Sequence, residues 1–136
     1  MTRYIVISLV GGILFGIMDG VINANPLARM LYEVYRPIAR TSLNVVAGSL
    51  IDLAYGFILA AIFLVVYEGL PGQSGIVKGL SYAILIWFFR VVMYAASTWM
   101  MYNVPTQTII YGLIAGLVEM LLLGILFGVT LKPLNL

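Results

Sequence analysis

The sequence predicts an all-α integral membrane protein: a four-transmembrane-helix bundle with a short amphipathic interfacial helix between helices 1 and 2. Three observations lead there. Of the 136 residues, 63% are hydrophobic and 9% charged, whereas soluble domains are about half apolar and a quarter charged. The mean hydropathy is +1.12, which leaves too little polar surface to face water. Four apolar stretches each reach the roughly 20 residues that a helix needs to cross a bilayer, and turn chemistry separates them. A chain of this length is too short for two sizeable cores, so residues 1–136 read as a single transmembrane domain.

The first span covers about residues 4–24. It is too long for a signal-peptide core, holds Asp19, and lacks a small-x-small cleavage site followed by a polar chain, so it reads as a retained helix. Asn23-Ala24-Asn25-Pro26 ends it. Asn25 can cap a new helix, and Pro26 suits its first turn. From there Leu27, Met30, Leu31, Val34 and Ile38 recur at helical spacing, and Arg29, Glu33, Arg36 and Arg40 form a second stripe. That pattern predicts an interfacial helix over about 26–36, broken or kinked at Pro37. On it Arg29, Arg36 and Arg40 would contact lipid headgroups or a partner. The plainer alternative is a simple re-entry before the second span.

The second span covers about 42–67 and ends at Gly69-Leu70-Pro71-Gly72. The third covers about 76–101 and ends at Asn103-Val104-Pro105-Thr106, and the fourth covers about 107–131. The last connection is short enough to make spans three and four antiparallel neighbours. Arg3, Lys78 and Lys132 fall on one side of the membrane and Arg29, Arg36 and Arg40 on the other, so the positive-inside rule ties. Glycines four apart (Gly12, Gly16 and Gly20; Gly112 and Gly116; Gly124 and Gly128) mark faces where helices approach closely. The same faces would serve a homo-oligomer or a membrane-complex partner.

The absent residue types exclude much chemistry. There is no cysteine and no histidine, hence no disulfide, thiolate or imidazole metal site, His-ligated haem or Ser–His–Asp triad. The five carboxylates are scattered without a DxD or ExxE pair, which argues against a magnesium–diphosphate site. The seven basic residues form no run, which argues against a nucleic-acid partner. No metal, cofactor or catalytic constellation is expected. The first partner is the lipid bilayer, and the expected location is a prokaryotic plasma membrane.

Four ionisable residues fall inside the spans: Asp19, Asp52, Arg90 and Glu119. Each costs about 2.5–3.5 kcal/mol at mid-bilayer even on a lenient scale, so they are expected to face inward and meet. The stripes agree. Asn44, Gly48, Asp52 and Tyr55 share a face of span two, Arg90, Tyr94, Ser97 and Met101 a face of span three, and Glu119 lies beside Gly112 and Gly116 in span four. The guanidinium stays charged, so three ionised carboxylates around it would leave a formal −2. At least one carboxyl is then neutral, or a cation is held. Asp52, Arg90, Glu119, Asp19, Tyr55, Tyr94 and Asn44 are therefore the candidates for binding a ligand or a proton.

Three functional readings follow. The first is a proton- or cation-coupled transporter or small-ligand-binding bundle. In size and span count, and in nothing else, the chain is similar to small multidrug transporters; their essential glutamate lies in the first helix, where this chain has Asp19. The second is an accessory or assembly subunit of a larger membrane complex. The third is a membrane enzyme acting on a lipid, with Asp52 or Glu119 as acid/base, for which no reaction motif is present.

Overall fold

The structure, a computed structural model, describes residues 1–135, and its regular elements are all helical. Helix α1 spans Thr2–Ala24 and α2 spans Pro26–Leu31, running into a 3-10 segment over Tyr32–Ile38. Helix α3 spans Val45–Val66 and closes with a 3-10 turn at Tyr67–Gly69. Helix α4 runs over Gly75–Met101 and α5 over Thr106–Thr130. α1, α3 with its turn, α4 and α5 are long and apolar enough to cross a membrane, at 23, 25, 27 and 25 residues.

The starts of three helices follow from side-chain capping of free backbone N–H groups. Asn25 Oδ1 accepts from Ala28 N–H at 2.9 Å, Asn44 Oδ1 from Ala47 N–H at 3.0 Å, and Ser74 Oγ from Val77 N–H at 3.2 Å. The Asn44 cap explains why α3 begins at Val45 rather than near Ser42. The segment after α1 is shorter as an α-helix than the sequence pattern implied. It is α-helical for six residues and then tightens to 3-10 geometry through Ile38. Pro37 lacks an N–H and its ring crowds the carbonyl four residues back, so an α-helical continuation is blocked.

The helices pack as two antiparallel pairs. In the α1–α3 pair, a Cβ on Gly56 would lie 2.3 Å from Ser8 O, and one on Gly12 would lie 2.8 Å from Leu53 Cα. In the α4–α5 pair, Gly75 faces Gly128 and Gly79 faces Gly124, each with a Cβ-to-carbonyl separation of 2.1 Å. Only glycine allows backbones this close, and dispersion between the touching chains replaces the hydrophobic drive that lipid does not supply. Gly20, Gly48 and Gly112 meet no atom within 4 Å. Gly20 and Gly112 are predicted small-residue positions that this chain's own helices leave open, and Gly48 joins them.

Tyr82 joins the pairs by donating to Leu59 O at 2.6 Å, and its ring meets Phe63 edge-on at 5.2 Å between centroids. Phe15, Phe63, Leu123, Phe127 and Leu131 are fully buried around this junction. The packed core occupies one half of the bundle: the N-terminal halves of α1 and α4 with the C-terminal halves of α3 and α5. Toward the end carrying the first and third connections, the same helices are open. Val45, Val46 and Leu50 of α3 and Tyr94, Trp99 and Met100 of α4 are all exposed.

Helix α2 is latched to this open end. Ala28 is fully buried, Thr108 Oγ1 donates to Leu31 O at 2.6 Å, and Tyr111 Oη donates to Ile22 O at 2.6 Å while accepting from Asn25 Nδ2 at 2.9 Å.

Candidate functional site

The site begins with a fault in α4. Its middle turn, Phe88–Val92, is π-helical, with Met93 N–H bonded to Phe88 O. A π-turn inserts one residue into the helical repeat and occurs often at functional positions. Here it shifts the phase of the face toward the bundle. Tyr82 and Ala83 are buried before the turn, and Thr98 after it. Tyr94, which an unbroken repeat would bring inward with Arg90, is 72% exposed.

The π-turn carries Arg90 to the boundary between the packed half and the open half. Its guanidinium lies 4.9 Å from the ring centre of Phe15 and 5.0 Å from that of Tyr55, two rings that stack on each other. Both faces contribute cation–π attraction. Arg90 Nη1 lies 3.6 Å from Glu119 Oε1, and the Glu119 side chain is 4% exposed. The pair is Coulombic but too long for a hydrogen bond. Arg90 Nε and Glu119 Oε1 are both buried without a hydrogen-bond partner.

The remaining carboxyls close the cluster. Asp19 is a near neighbour of both Asp52 and Glu119. Gly16 makes room for this, since a Cβ there would lie 3.1 Å from Asp52 Oδ2. Fully ionised, three carboxylates and one guanidinium carry −2. Such a net charge is costly in a low-dielectric medium.

Two clefts reach the cluster from the open end. One, of about 470 Å³, is lined by Arg90, Tyr32, Tyr35, Tyr55, Tyr94, Thr98 and Thr108. The other, of about 960 Å³, is a groove between α1 and α3, lined by Asp19, Asp52, Asn23, Asn44 and Ser49, with Arg29 on its wall. Burial raises the phenol pKa of Tyr32, helped by the neighbouring Tyr111 and Tyr35. Burial also raises that of Tyr35, helped by Tyr94, so both rings present neutral hydroxyls.

The structure thus brings together Asp19, Asp52, Arg90, Glu119 and Tyr55. Tyr94 stands at the rim of the smaller cleft, and Asn44 lines the groove while serving as the α3 cap. Arg36 is exposed and pairs with Glu33 at 2.8 Å, and Arg40 is exposed in the following loop beside a separate hollow formed with residues 42–47. The sequence pattern missed Phe15, Thr98 and the π-turn, and it marked Gly16 only as a close-approach glycine. Tyr32 and Tyr35 read as interfacial anchors, and only the docking of α2 shows that they line a cleft. Compared with known protein families, curated proteins and solved structures, the chain matches none, so its function is read from these residues alone.

Proposed function

We propose that this chain is a small proton-coupled membrane transporter or ligand-binding bundle, working in a prokaryotic plasma membrane. The observation that supports it is the position of the Asp19–Asp52–Glu119–Arg90 cluster. It lies where a tightly packed half-bundle meets an open one, with Arg90 lining one cleft and Asp19 and Asp52 lining the other. Ionisable groups buried in a span are expensive, and they characteristically mark proton relays and ion paths. In this reading the three carboxyls share a variable number of protons, Arg90 holds the balancing charge, and the π-turn of α4 is the place where the helix bends between states.

The Pro26–Ile38 segment would lie in the interface. Leu27, Met30 and Ile38 are 51%, 67% and 82% exposed, ready for lipid, with Arg29 and Arg36 available to headgroups. A second copy would close against the open glycines Gly20, Gly48 and Gly112. A strictly monomeric particle in native-lipid nanodiscs would remove that part of the proposal.

The test is proton flux. Vesicles containing the protein and a pH-sensitive dye should acidify or alkalinise when a transported solute is added from a panel of small organic anions and cations. Glu119→Gln should abolish the proton signal while the protein keeps its helical content and elution volume. Wild-type flux in Glu119→Gln refutes the reading.

A further inference from the structure

We infer that the tyrosine-lined cleft over Arg90 binds a carboxylate carried on an aromatic or aliphatic body, and that the anion enters together with a proton. This names the ligand class for the site proposed above and rests on that reading for its link to transport.

The cationic end of the cleft is free to bind. Among the described residues, Arg90 donates no hydrogen bond. Its side chain is partly exposed and lines the cleft, its Nε is buried on the inner side without an acceptor, and Glu119 stands 3.6 Å away. A guanidinium presents five N–H donors in a planar fork that matches a carboxylate edge to edge. Phe15 and Tyr55 hold the guanidinium in place through ring contacts. A lysine would supply the charge at this position but not the fork.

The walls define the rest of the ligand. Tyr32, Tyr35, Tyr55 and Tyr94 supply ring surface, and Val91, Ala95 and Ile109 supply aliphatic surface. The volume, about 470 Å³, falls within the roughly 300–1,000 Å³ of small-molecule sites. Rings of this kind also suit organic cations, but here a guanidinium heads the cleft, while Asp19 and Asp52 line the groove between α1 and α3 instead. The charge pattern therefore selects an anion on the tyrosine side.

The proton follows from charge. The groups facing Arg90 are Asp19 from α1, Asp52 and Tyr55 from α3 and Glu119 from α5, with Tyr32 and Tyr35 beyond them. The carboxyls already outnumber the single guanidinium. A further anion brings one more negative charge into a low-dielectric site. As the ligand carboxylate takes over Arg90, Glu119 loses its counter-charge and binds one proton from water. One anion and one proton enter, and the net charge is unchanged.

The experiment uses the full chain in phosphatidylcholine nanodiscs. Fluorescence of Trp87 in a Trp99→Phe background, where its indole donates to Leu113 O at 2.9 Å one turn from Arg90, reports titrations with benzoate, decanoate, benzamide and benzylamine. Saturable responses are expected to benzoate, decanoate or both, and none to the neutral amide or the amine. Benzoate alone identifies a soluble acid as the ligand class, and decanoate alone identifies a lipid-derived one. Arg90→Gln should weaken binding by about tenfold or more, and Tyr94→Ala by a few-fold. In weak buffer the wild type should take up about one proton per anion, and Glu119→Gln should bind the anion without that uptake.

Equal binding of benzamide, preference for benzylamine, unaltered affinity in Arg90→Gln, or no saturable carboxylate binding overturns the inference. If Arg90→Gln fails to fold, Arg90→Lys and Tyr94→Ala decide instead, and unchanged affinity in both overturns it. Saturable benzoate binding without proton flux in vesicles keeps this site and removes the transporter. Flux of other solutes without carboxylate binding does the reverse.

Discussion

Replacing Gly79 with alanine adds one methyl group at one of the two closest approaches in the bundle. That methyl carbon would lie 2.1 Å from the carbonyl oxygen of Gly124, 2.9 Å from its carbon and 3.1 Å from Gly128 Cα. All three neighbours are backbone, so no side chain can rotate away. Relief requires α4 and α5 to part by about 1 Å, and a gap of that size forfeits roughly a quarter to a half of the dispersion energy at the contacts that open. Overpacking of this kind costs about 1–3 kcal/mol, and the immobile backbone places Gly79→Ala toward the upper end. The gain of about 0.5–1 kcal/mol from removing a mid-helix glycine leaves a net loss near 2 kcal/mol. Gly112→Ala is the matched control, because nothing lies within 4 Å of the added carbon and only the gain remains. The two variants should therefore move in opposite directions in SDS titrations from mixed micelles, followed by far-ultraviolet circular dichroism. If Gly79→Ala is as resistant to SDS as Gly112→Ala, the backbone contact between α4 and α5 does not exist as described.

Two further outcomes are expected at the connections. Lys78 Nζ donates to Tyr67 O at 2.8 Å and Leu70 O at 3.0 Å and sits over the Tyr67 ring. Lys78→Met should cost about 1.5–3 kcal/mol and speed hydrogen exchange of the Leu70 amide, with slow exchange there arguing against the clamp. Thr108→Val keeps the side-chain shape but removes the donor to Leu31 O. It should cost about 1 kcal/mol and expose the Arg29 amide to exchange while amides around Phe127 stay protected; unaltered protection at Arg29 would show that α2 is held by other means.

Much of the fold was legible because a bilayer permits few solutions. Backbone polar groups have no water to turn to, so an apolar chain of this length must be helical, and Asn–Pro or Gly–Pro clusters are the remaining places for it to turn. The pairing of helices was legible only in part. Gly12, Gly124 and Gly128 stood out by their spacing and do make contacts, whereas Gly75 and Gly79 opposite them did not stand out. They lie in a stretch that reads as a connection followed by a span entrance beside Lys78, and their value depends on which glycines face them. Gly20 and Gly112 have the same spacing signal and no partner within this chain. Spacing thus reports that a face can be approached, and only the tertiary arrangement decides whether it is.

The site was legible as an inventory and not as a geometry. Cost alone argues that Asp19, Asp52, Arg90 and Glu119 should converge, because lipid would penalise each of them separately. The helical repeat then assigns Tyr94 to the same inward face as Arg90, and there the reasoning fails for a definite cause. The π-turn at Phe88–Val92 adds a residue to the repeat, so Thr98 is buried and Tyr94 is exposed. No proline or glycine in that turn announces it. The segment Phe-Phe-Arg-Val-Val is as helical by composition as its neighbours. What the turn accomplishes can be stated physically. An α-helix that buried Arg90 against Glu119 in register would bring Tyr94 into the packed bundle as well. The inserted residue lets α4 supply Arg90 to the charged cluster and Tyr94 to the rim of an open cleft. The phase slip therefore separates the charge-balancing role of this helix from its role in lining the cleft, and it does so at the one residue on which both depend.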